Sequence, residues 1–67
     1  MTSYEKAKEA MEKYANTLYN YRRHGLISEL ESINKFSAYV KCMIDNELCG
    51  EGFGTNEMEK FNRKILR

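Results

Sequence analysis

Few residues of this 67-residue chain are suited to chemistry, and their spacing decides which chemistry is open to them. His24, Cys42 and Cys49 are the soft metal ligands. Zinc takes four ligands, commonly grouped in closely spaced pairs. Three scattered candidates do not make such a site, so no metal and no cofactor are expected. Catalysis is equally hard to assemble. His24 has no serine near it in a recognisable motif, and no paired-carboxylate motif occurs. A chain this short also leaves little room for a sheltered pocket of ~300 Å³ or more. No catalytic residue is assigned, and the protein is not expected to be an enzyme.

Gly50, Gly52 and Gly54 alternate with Glu51 and Phe53 ahead of a helical stretch. Backbone amides at a helix start can bind phosphate. The phosphate-binding fingerprints, however, need a preceding strand and a different glycine spacing. Here a helix precedes, and Glu51 would repel a phosphate. The segment 50–54 therefore reads as a flexible loop, with Phe53 as an anchor that tucks into the core.

Two surface constellations could bind a partner. Lys60, Arg63, Lys64 and Arg67 recur at i, i+3, i+4 and i+7, one basic face opposite Met58, Phe61 and Ile65. Such a face could grip nucleic-acid phosphates, although cations also crowd the last turn of a helix for dipole reasons. The second constellation is aromatic. The chain has five tyrosines and no tryptophan. Tyrosine suits an interface with one wet edge, because its hydroxyl needs a partner when buried. Tyr19 and Tyr39 lie off the apolar seams, and Tyr19 neighbours Arg22 and Arg23 along a helix surface. Tyrosine and arginine are enriched at binding hot spots. Tyr19, Arg22, Arg23 and Tyr39 are therefore the candidate partner-binding residues.

Helices must position these groups. Tyr4, Ala7, Met11, Tyr14, Leu18 and Tyr21 are spaced 3, 4, 3, 4, 3, the seam of a helix packed along its length. Leu26, Leu30, Ile33, Ser37, Val40 and Ile44 form a second seam, and Ile27, Phe36, Met43 and Leu48 widen it. A helix apolar over that width contacts two neighbours. No proline interrupts either stretch. Helix 1 is expected over about residues 3–24, capped by a Thr2–Glu5 box and closed by Gly25. Helix 2 is expected over about 29–48, capped by a Ser28–Glu31 box and ended by Gly50. Helix 3 follows over about 57–66, capped by Asn56 (or Thr55), with Glu59 completing an Asn56–Glu59 box. On this reading Leu18 and Leu30 are both core residues, and truncating either to alanine would cost about 2–5 kcal/mol.

The fold class is all-α: one domain, a long antiparallel hairpin plus a short C-terminal helix. So thin a core invites a partner subunit, and a symmetric homodimer would complete a helical bundle. Cys42 and Cys49 fall about 10.5 Å apart along one helix, beyond disulfide reach, and unpaired thiols suit a cytoplasmic setting. Glu5, Lys6, Lys8 and Glu9 leave no apolar signal core in the first turns, and no stretch approaches a membrane span. The formal net charge of +1 points to neither nucleic acid nor membrane. The expected function is a non-enzymatic protein-binding module that regulates or inhibits a larger protein through a helical surface. The size and plan suit a phage or mobile-element accessory protein. The alternatives are a small nucleic-acid-binding regulator using the basic C-terminal helix, and an assembly subunit whose only partner is itself.

Overall fold

The computed structural model describes residues 3–66. They form three helices, α1 (Ser3–Arg23), α2 (Glu29–Asp45) and α3 (Glu51–Ile65), and no strand. The Thr2–Glu5 box and Arg67 fall outside the described residues.

The first turn of the chain forms as its residues dictate. Gly25 takes φ 76°, Leu26 N–H donates to Tyr21 O at 2.8 Å, and Gly25 N–H donates to Arg22 O at 3.1 Å. That pair of bonds is the Schellman closure of α1. Ser28 then caps α2, its hydroxyl accepting from Glu31 N–H at 3.1 Å. Arg22 and Glu29 tie the two ends together through an ion pair of 2.6 Å.

α2 ends earlier than the sequence suggests, at Asp45 rather than Leu48. Asn46 turns its side-chain amide back onto Cys42 O at 2.7 Å, competing with the helix. Glu47, not Gly50, takes the left-handed conformation (φ 59°), and Leu48 N–H closes onto Met43 O at 2.9 Å. Cys49 thus lies in the linker rather than on α2. Both cysteines are free, and partial burial pushes the Cys49 thiol above its ordinary range.

The expected loop 50–54 is instead the first turn of α3. Gly50 is its N-cap, without a side-chain bond, and Asn56 and Glu59 lie inside the helix rather than at its start. Helical glycine is costly by about 1 kcal/mol relative to alanine, so tertiary packing must offset it. At Gly54 it does. A Cβ there would stand 2.8 Å from Val40 Cγ1 and 2.8 Å from Ile44 Cδ1. Only glycine lets α3 come this close to α2. Gly52 meets nothing within 4 Å, and no contact explains a glycine there.

Side-chain pairings give the topology. Tyr14 meets Tyr39 and Arg22 meets Glu29, while Phe36 meets Phe61 and Gly54 abuts Val40 and Ile44, so α2 runs antiparallel to both neighbours. Tyr4 meets Phe53 and Tyr19 meets Lys64, so α1 and α3 run parallel. α2 packs against α1 and most closely against α3. The second neighbour of its wide apolar face is therefore α3 of the same chain.

The core comprises Ala7, Met11 and Leu18 of α1, Phe36, Val40 and Met43 of α2, and Phe61 and Ile65 of α3. The α1 seam is as expected through its middle, while Tyr4 and Tyr21 at its ends are exposed. The α2 seam is not. Leu26 and Leu30 are 69% and 68% exposed, and the buried stripe is Ser32, Phe36, Val40 and Met43. The helix turns its larger residues inward because α3 supplies Phe61, whose ring stacks on Phe36 at 4.5 Å. Ser32 tolerates full burial by donating its hydroxyl to Glu29 O at 2.8 Å.

Candidate protein-binding surface

The parallel run of α1 and α3 brings together residues more than forty positions apart. Tyr19, Arg22 and Arg23 from the last turns of α1 meet Lys64 and Ile65 from the last turn of α3. They line an open cleft of about 310 Å³. Lys64 Nζ stands 4.6 Å over the Tyr19 ring and donates to Asn16 Oδ1 at 3.3 Å. Arg22 donates to Glu29, while its Nε is covered and meets no acceptor among the described residues. Arg23 is exposed, and neither it nor Lys64 faces a carboxylate within ion-pair distance among the described residues.

The two constellations read from sequence are thereby regrouped. Three of the four aromatic and arginine candidates share this cleft. Tyr39 does not join them. It is half-buried, its ring 4.6 Å from Tyr14, and helps hold α1 to α2. The basic set divides as well. Lys64 belongs to the cleft. Lys60 turns to Glu57, 3.7 Å away and itself buried. Arg63 is exposed, and Arg67 lies outside the described residues.

The same end of the bundle carries apolar residues that sequence reasoning assigned to the interior or passed over. Leu26 and Leu30 are joined there by Leu66 and Tyr21, 63% and 46% exposed. Among the described residues, four of the six large exposed apolar side chains thus lie where α1 ends, α2 begins and α3 ends. The available signal was that α2 has two overlapping apolar stripes, and only one can face inward.

His24 lies at this end too, whereas Cys42 and Cys49 lie at the other, a bundle length away. No group of three His, Cys, Asp or Glu side chains stands close enough to hold a metal among the described residues. Nor is any helix there long and apolar enough to cross a membrane. No known protein family, curated protein or solved structure matches this chain.

Proposed function

We propose that this chain is a non-enzymatic protein-binding module that regulates or inhibits a larger protein, docking through the end of the bundle where α1 stops and α2 starts. The observation that carries this reading is the concentration of Tyr21, Leu26, Leu30 and Leu66 at that end, in solvent. Single exposed leucines are ordinary, but several at one end mark a contact surface. Covering three leucines that are about two-thirds exposed gains roughly 3–6 kcal/mol. Association costs about 4–15 kcal/mol. The leucines alone therefore do not hold a partner, and the neighbouring arginines and lysine must contribute.

Nucleic acid is the less suited partner. Lys60 pairs with the buried Glu57, and the groove beside Lys60 and Lys64 is lined by Glu12 and Glu57, so a phosphate chain following these bases would meet two carboxylates. Capture of partners from native extract, with and without nuclease, separates the readings. A protein retained after nuclease is the expected result. A partner set that vanishes with nuclease, together with binding that falls steeply with salt, would replace this reading with the nucleic-acid one.

A further inference from the structure

We infer that the cleft of Tyr19, Arg22, Arg23 and Lys64 receives a carboxylate side chain from an acidic, leucine-bearing segment of the partner protein; this rests on the protein-binding reading above. The charges at the cleft do not balance. Among the described residues, three cations stand against the single carboxylate of Glu29. The C-terminal dipoles of α1 and α3 offset about half an elementary charge each, and the N-terminus of α2 returns about half. A surplus of positive charge remains. Hydrogen-bond donors are in surplus too. Lys64 has one oxygen acceptor in Asn16, and the exposed Arg23 faces no carboxylate within ion-pair distance among the described residues.

The occupant's chemistry follows from what borders the cleft. Leu26, Leu30 and Leu66 lie at the same end, so the segment must present apolar side chains beside its acid. Towards the middle of the bundle, Lys64 also borders a groove lined by Lys60, Glu12 and Glu57. A phosphate chain leaving the cleft along that groove would meet two carboxylates. A flat anionic lipid surface would meet Glu29 and Glu31 in the first turn of α2. A single protruding carboxylate fits the concave cleft and avoids Glu12, Glu31 and Glu57, while Glu29 is already paired with Arg22. Arginine and lysine donors bond carboxylate oxygens more strongly than neutral ones do.

The probe is a short synthetic helix-forming peptide with Leu and Glu on one face, titrated into the ¹⁵N-labelled chain and followed by amide chemical shifts. Shifts are expected around Tyr19, Arg23 and Lys64. Affinity should fall about tenfold or more when Gln replaces Glu in the peptide, and likewise in the doubly substituted Arg23→Gln, Lys64→Gln chain. Both positions are exposed, so an unchanged amide spectrum elsewhere reports that the fold is kept. Equal affinity for the Glu and Gln peptides would overturn the inference, as would shifts centred on Tyr4 and Leu48 at the other end. Tighter binding of single-stranded DNA, or of mixed phosphatidylcholine–phosphatidylserine vesicles, would overturn it in favour of a phosphate ligand. If the peptides fail while nuclease-resistant capture persists, the cleft assignment falls and the protein-binding reading stands.

Discussion

Phe36→Ala is expected to destabilise the fold by about 3–5 kcal/mol, the range for emptying a buried aromatic site. Phe36 is 1% exposed and stacked on Phe61, so truncation leaves a cavity between α2 and α3. A domain of this size has little more than that to lose, and the variant should be largely unfolded at room temperature. Phe36→Leu, closer in volume, keeps the loss measurable. Leu30→Ala is the matched comparison. Leu30 is 68% exposed, and its truncation should move stability by no more than about 0.5 kcal/mol. Urea unfolding followed by circular dichroism gives both numbers. Equal losses at the two positions would mean that the inward face of α2 is the one read from sequence.

Gly54→Leu should also destabilise by about 1–3 kcal/mol or more, by overpacking. Its Cβ would crowd Val40 Cγ1, which is fully buried on a stiff, β-branched side chain. Ile44 Cδ1 can swing aside, but Val40 cannot. Leucine is the informative replacement, because with alanine the gain in helix propensity partly cancels the clash. Gly52→Ala should do the opposite and stabilise by up to about 1 kcal/mol, since its surroundings are open. Were 50–54 a loop, both changes would be small. Opposite signs in thermal melts identify the segment as a helix pressed against α2.

These two positions also mark where the sequence stopped being legible. Local signals were sufficient for α1 and for the start of α2. The single 3–4 stripe of α1, the Gly25 stop and the Ser28 cap each depend on neighbours within a few residues. α2 carries two stripes that share Val40, and local spacing fits both. The choice is made by Phe61, twenty-five residues beyond Phe36, which no periodicity displays. Gly54 is misread for the same reason. Alone it weakens a helix, and only the approach of Val40 and Ile44 makes it necessary. At the candidate site, Tyr19, Arg22 and Arg23 were recognisable as a group because they share one helix. Their union with Lys64 was not, since it depends on α1 and α3 lying parallel. Leu30 was misplaced by the α2 error, and Leu66 gave no sign of its exposure at the basic end.

If one end of the bundle does the binding, substitutions at the two ends must act differently on capture of a partner. Leu26→Ser with Leu30→Ser alters the basic end, and Tyr4→Ser with Leu48→Ser alters the opposite end. Leu26 and Leu30 are about two-thirds exposed and Tyr4 and Leu48 about half, so both chains should stay folded, the second losing the Tyr4–Phe53 ring contact. From nuclease-treated extract, the first pair should lose the partner that the wild-type chain retains, and the second pair should keep it. Retention by the Leu26/Leu30 variant, with loss in the Tyr4/Leu48 variant, would contradict the account and move the binding surface to the other end.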